Sequence, residues 1–330
     1  MSSSYRPSGV YSAQWIPVDS TGRLDRGALA AHCEFERRAG VAGALALGST
    51  GEFPHFSPDE RKVALAAIAE IAAPLPVIAN ITDLRPRVAI ELGRFAKSLG
   101  LPAIALMPPP FFPLSQEDVL AFFLHVADAV DLPVMLYNFP ELCGKRIDLA
   151  TIAAFADRAP MCAIKQSGGE FAYHRDLIAL GREKNYVVMS GADTRLTEVF
   201  AMGAAGCTGG LVNIVPELMV DIYRCSAAGR PNDAAVSAAR MVELGRVIDQ
   251  LAFPPNVGAG LAARGFSPGA SKSILSSESR ALTVKIEAEL RALFDHWGLA
   301  PGPVAAAASK PSSVSTPASG PNKDGVDARG

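Results

Sequence analysis

What this chain lacks narrows its function first. It has no excess of positive charge: 31 lysines and arginines stand against 33 aspartates and glutamates, so no global basic field exists to hold nucleic acid or an anionic membrane. Any anion must be met locally. The five cysteines, Cys33, Cys143, Cys162, Cys207 and Cys225, show no paired metal-binding spacing and read as buried free thiols of a reducing cytosol. No apolar run approaches a membrane span, and residues 1–9 lack the apolar core of a signal peptide. No Gly-x-Gly-x-x-Gly follows the first strand pattern, which removes the main signature of a dinucleotide-binding open sheet. The expectation is a soluble, cytoplasmic protein without a metal, a nucleic-acid partner or a membrane.

What is present is a large apolar inventory. Half the residues are hydrophobic (49%) and the mean hydropathy is +0.21, enough for a sizeable core. Short apolar runs over 10–17, 42–47, 76–80, 102–107, 133–138, 162–165, 186–190 and 206–210 predict strands. Each is followed by a helical pattern, over 25–40, 57–73, 87–99, 116–130, 149–156, 171–181, 194–202 and 216–228. In Ser57-Pro58-Asp59-Glu60, serine is an N-cap with proline in the first turn. Eight strand/helix units joined by short loops predict an α/β fold closed into a (β/α)8 TIM barrel.

The expected organisation is a flexible N-terminus at 1–8, the barrel at 9–230, a C-terminal helical subdomain at 231–300 and a tail at 301–330. Within the extension, 233–252 and 280–297 have helical patterns around a Pro254-Pro255 turn and a Gly/Ser-rich stretch. From Pro301 onward the sequence is Ala, Ser, Pro and Gly with almost no large apolar residue, which predicts disorder.

Within the barrel the organising stretch is Met161-Cys162-Ala163-Ile164-Lys165-Gln166-Ser167-Gly168-Gly169, a strand that delivers one lysine and ends on a glycine pair. An amine enclosed by Cys162, Ala163 and Ile164 is poorly solvated as an ammonium, and a neutral amine attacks a carbonyl to form a Schiff base. Barrel enzymes place their chemistry at strand C-termini, so residues distant in sequence share one mouth. The loop Gly48-Ser49-Thr50-Gly51-Glu52 offers two hydroxyls and glycine-freed amides, a cradle for a carboxylate. Strand five ends Tyr137-Asn138-Phe139-Pro140 and sets a phenol beside the lysine strand, where it can pass protons to and from a carbinolamine. The plainer alternatives are a snorkelling lysine, a self-bonded Ser/Thr loop and a tyrosine capping the core.

Gly48 to Glu52, Tyr137-Asn138-x-Pro140, Ile164-Lys165-x-Ser167-x-Gly169 and Gly191-x-Asp193, followed by a glycine-rich eighth strand and Asn213, occur in the order and spacing of a known superfamily. The chain resembles the dihydrodipicolinate synthase/N-acetylneuraminate lyase family over about residues 9 to 297. The resemblance implies a homo-oligomeric barrel, tetramer or dimer, that forms a Schiff base with pyruvate or another 2-oxo acid and needs no metal or organic cofactor. It implies that Lys165 is the Schiff-base lysine and Tyr137 the proton-transfer tyrosine. Ser49 and Thr50 become the pair that contacts the keto-acid carboxylate and relays protons, Thr50 thereby joining Lys165 and Tyr137 as catalytic, with Gly51 in the same loop, and Thr208 lies near the strand-eight site facing bound pyruvate.

The departures concern the second half of the substrate. Where the synthases carry an arginine two residues after Tyr-Asn-x-Pro this chain has Leu142, and where sialic acid lyases carry an acidic residue after Asp193 it has Thr194. Phe111 replaces the tyrosine that reaches a neighbouring subunit's site. Leu142, Asp193 and Thr194 therefore join the candidate substrate-binding residues. The expected activity is a lyase or aldolase, or a dehydratase, on a pyruvate-derived 2-oxo acid with a less charged second half. The alternatives are 4-hydroxy-tetrahydrodipicolinate synthase, condensing pyruvate with aspartate semialdehyde, and a non-catalytic keto-acid-binding barrel.

Overall fold

In a computed structural model, residues 5–299 and 302 are described. Eight strands alternate with helices in chain order. They are β1 Gly9–Ala13, α1 Arg26–Ala39, β2 Gly43–Ala46, α2 Pro58–Ala72, β3 Val77–Asn80, α3 Pro86–Ser98, β4 Ala103–Leu106, α4 Gln116–Val130 and β5 Val134–Asn138. A single turn α5 Pro140–Cys143 precedes α6 Leu149–Ala156, β6 Met161–Gln166, α7 Tyr173–Lys184, β7 Val187–Ser190, α8 Leu196–Met202, β8 Gly206–Gly209 and α9 Pro216–Ala227. The strands are all parallel, each pairs with the next, and β8 closes on β1 through Tyr11↔Thr208. This is the (β/α)8 barrel expected from the sequence, with a helical part behind it: α10 Ala235–Ile248, α11 Pro255–Ala263 and α12 Ser277–His296.

The elements form where the local chemistry allows. The α2 start is a reciprocal capping box, Glu60 N donating to Ser57 Oγ (3.3 Å) and Ser57 N to Glu60 Oε2 (2.8 Å). Strand side chains alternate. Ile78, Met135, Tyr137, Ala163 and Met189 fill the barrel interior, while Val77, Ala79, Val134, Leu136 and Ile164 face the helices. Each large aliphatic side chain so buried stabilises the fold by about 1.5–3 kcal/mol. The barrel interior is packed with buried side chains, with a cavity among the described residues at the C-terminal ends of β5 and β6.

Two local expectations need correction. The first strand stops at Ala13 rather than running to residue 17, because the backbone turns to Asn213, whose Oδ1 accepts from Trp15 N at 2.9 Å. Where the sequence predicts a turn at Pro254-Pro255, the structure begins a helix, α11. Gly258 and Gly260 weaken its helical propensity, yet they let it lie against Trp15 and Ile214, where a side chain at Gly260 would collide. Tertiary contact outweighs propensity here. The predicted tail 301–330 lies outside the described residues apart from Gly302, as do residues 1–4 of the N-terminal segment. Among the described residues no helix is long and apolar enough to cross a membrane.

Candidate active site

Lys165 stands near the end of β6, opposite Tyr137 of β5 and Met189 of β7 in the sheet register. Both Lys165 and Tyr137 point inward by the two-residue period of their strands, and they are 4% and 1% exposed. The amine Nζ lies 4.3 Å from the centre of the Tyr137 ring. The phenol oxygen is 3.2 Å from Ser49 Oγ, so strand five and the loop after β2 meet at one hydroxyl pair. A phenol on the strand next to the amine is the type of group that serves as a general acid or base.

A cavity of about 390 Å3 opens above the amine. Lys165, Tyr137, Thr50 and Thr208 form its floor, and Ser167, Asp193, Thr194 and Asn256 stand among its walls. Three buried polar atoms on this lining, Thr208 Oγ1, Asp193 Oδ1 and Asn256 Oδ1, have no hydrogen-bond partner among the described residues. Buried polar groups are ordinarily satisfied, so three such exceptions gathered on residues of one cavity set this region apart from the rest of the barrel. Asp193 is fixed through its other oxygen, which accepts from Leu211 N at 2.8 Å. Its carboxylate packs over Gly209, where any side chain would collide with it. Burial pushes the Asp193 carboxyl up to about 6, opposed by the Leu211 N–H and by the charge of Lys165.

The sequence-derived candidates divide into two groups. Lys165, Tyr137, Thr50, Thr208, Asp193 and Thr194 share the cavity above the amine. Leu142 lines a second, neighbouring cavity of about 240 Å3 with Phe53, Met107 and Pro110, and is itself 48% exposed. Ser49 lines that second cavity while its hydroxyl reaches Tyr137, and Phe253 walls both. Gly51 packs against Gln14 and Ile16 behind the loop. Phe111 lies outside both cavities, 85% exposed, with φ of 84° and its ring edge-on to Phe112.

Several residues on the cavity were not singled out from the sequence. Arg195 brings a guanidinium to the rim, stacked 3.4 Å over the Phe171 ring and paired with Glu198 through two bonds of 2.8 and 2.5 Å. Its position directly after Asp193-Thr194 was the available signal. Asn256 of α11 and Asp249, which follows α10, come from the helical extension, whose approach to the mouth no local pattern announces. Among the described residues no cluster of three or more His, Cys, Asp or Glu is placed to hold a metal ion.

The chain matches the dihydrodipicolinate synthetase family over residues 6–288. It belongs to that family. Relatives carry different reactions on this scaffold. YagE of Escherichia coli K12, provisionally named a 2-dehydro-3-deoxy-D-gluconate aldolase, is 33% identical over 232 residues, covering 68% of this chain and 76% of YagE. An N-acetylneuraminate lyase of Rhizobium meliloti is 30% identical over 269 residues, covering 80% of this chain and 88% of the lyase. The crystal structure of YagE in complex with pyruvate superposes with a TM-score of 0.81 at 26% identity, over 88% of this chain and 99% of that one. The dihydrodipicolinate synthetase family consists of lyases and aldolases, and this member is an enzyme of the class I aldolase type.

Proposed function

We propose that this enzyme forms a Schiff base between Lys165 and pyruvate or a pyruvate-derived 2-oxo acid, and cleaves or forms a carbon–carbon bond beyond the imine. The observation that carries the reading is the enclosed amine at 4.3 Å from the Tyr137 ring, in a cavity of about 390 Å3 that Thr50, Asp193 and Thr208 also line. In this reading the keto-acid carboxylate takes donors from the Ser49-Thr50 loop, and Nζ attacks the C2 carbonyl. Tyr137 hands a proton to the carbinolamine oxygen, which leaves as water. The resulting iminium withdraws electrons. For a 4-hydroxy-2-oxo acid, loss of the 4-hydroxyl proton breaks the C3–C4 bond, releases an aldehyde and leaves an enamine, which is protonated at C3 and hydrolysed to pyruvate. The iminium is the electron sink, so the scheme calls for no metal or organic cofactor.

For the second half of the substrate, the lining of the cavity favours hydroxyl groups over a carboxylate. Asp193 and Asn256 offer unpartnered acceptors, and the Arg195 charge is already balanced by Glu198. Arg146, on the Leu142 side, is engaged with Asp148 and Glu170 and stacks on Tyr173. Pyruvate release from a panel of 4-hydroxy-2-oxo acids, followed by coupled reduction with lactate dehydrogenase, tests the reading. Release from neutral, hydroxylated substrates supports it; no release from any of them, with efficient condensation of aspartate semialdehyde, restores the synthase instead.

A further inference from the structure

We infer that Lys272, outside the reacting cavity, is a positioning residue that holds the Ser49-Thr50 loop in the shape needed to receive the keto-acid carboxylate. The inference rests on the Schiff-base reading above. The loop is bracketed by two non-glycine residues in left-handed backbone, Leu47 (φ 57°) and Glu52 (φ 56°). Such residues persist only where their surroundings over-determine them. Each end has its own lock. At the first, Asn80 Nδ2 donates to Leu47 O at 2.6 Å. At the second, Lys272 Nζ sits 2.7 Å from Glu52 Oε2, with both side chains only 5% exposed.

Lys272 reaches Glu52 from the segment between α11 and α12, far along the chain. Its ammonium lies 4.5 Å from the Trp15 ring and 5.7 Å from that of Phe56. The segment is itself fastened to the exit of β1: Trp15 Nε1 donates to Pro268 O at 2.8 Å and Ala270 N to Val18 O at 2.7 Å. From Glu52 the restraint passes inward. Glu52 N donates to Ser49 O at 3.0 Å, and Ser49 Oγ meets the Tyr137 hydroxyl at 3.2 Å. A buried ion pair contributes little net stability because both charges lose water, so its value here is geometric.

The test uses the full-length protein and Lys272→Met, which keeps the packing of the stem while removing the charge. The readouts are the pyruvate dependence of the borohydride-trapped imine and the split between KM and kcat. Losing charge-ordered carboxylate donors raises half-saturating pyruvate about ten- to hundredfold. The rate at saturation changes less, since ground-state binding is what is lost. Lys272→Arg restores part of the affinity. The double variant Glu52→Gln/Lys272→Met removes the stranded carboxylate, so it folds and still binds pyruvate weakly. Wild-type pyruvate saturation in Lys272→Met, or in the double variant should the single one not fold, overturns the inference even where melting temperature falls. Absence of trapping in the wild type sinks the Schiff-base reading first, and the positioning role with it.

Discussion

The two cavities at the barrel mouth share Phe253 as a wall and little else. The larger is built on the amine of Lys165 and carries buried oxygen and amide atoms without partners. The smaller is lined by Phe53, Pro54, Met107, Pro108, Pro110 and Leu142, with Ser49, Thr82 and the His55 imidazole among its few polar groups. Polar atoms left unpaired in one chamber, beside an apolar chamber next door, separate two tasks. Bond making and breaking needs donors, acceptors and a nucleophile held in place. Acceptance of one partner over another needs only shape and the absence of a mismatched charge. Under the proposed function the first task falls to the Lys165 chamber, and Leu142 is proposed to bear on the second.

The variants that break or sharpen this contrast differ in expected size. Lys165→Ala should abolish pyruvate adduct formation and turnover while leaving circular dichroism and melting nearly unchanged, because it removes a buried amine and the Asp193 carboxyl, losing that charge, can take up a proton. A normal adduct in that variant would end the mechanism. Tyr137→Phe keeps the volume and loses the hydroxyl shared with Ser49, so steady-state rate should fall by about 10²- to 10⁴-fold, the range for general acid–base help. Unchanged turnover would reassign Tyr137 to packing. Leu142→Arg acts on the smaller chamber. It should move preference toward carboxylate-bearing aldehydes by roughly ten- to hundredfold relative to neutral ones, and because Leu142 is half exposed the new charge keeps its water. Equal preference before and after would detach Leu142 from substrate choice.

The smallest expected effect concerns Asp193. With its carboxyl raised to about 6, the profile of kcat/KM should rise through that pH as the acceptor form appears. Asp193→Asn should flatten that limb and cost about two- to tenfold at pH 8, the worth of a neutral hydrogen bond. The same shift has a stability sign. A carboxyl whose folded value lies above 3.8 favours the fold fully at lower pH and loses that contribution as pH rises through about 6. The melting difference between wild type and Asp193→Asn should therefore change across this window and stay constant above it.

The barrel was legible because its signals are local and repeated. Each strand is a short apolar run, each helix has a cap or a stripe, and eight repeats leave closure as the natural arrangement. Lys165 and Tyr137 were legible as neighbours because consecutive strands pair, here in register Tyr137↔Lys165. The contributions of the helical extension were not. Asn256 sits on a glycine-containing helix of weak propensity, and Lys272 in a Gly/Ser-rich segment without periodicity. Their segments are placed by contacts with Trp15, Val18 and Ile214, which only the folded chain brings near. The Leu142 side chain likewise shares its loop with the site motif but faces the adjoining chamber.

The proposed reaction turns on the Lys165 amine becoming covalently joined to a 2-oxo acid. Borohydride reduction of the wild-type protein in the presence of pyruvate, followed by peptide mass analysis, tests it directly. One reduced pyruvate adduct is expected, on the peptide containing Lys165, absent without pyruvate and absent in Lys165→Ala. An unmodified Lys165 peptide at saturating pyruvate, or an adduct carried by another lysine instead, would contradict it.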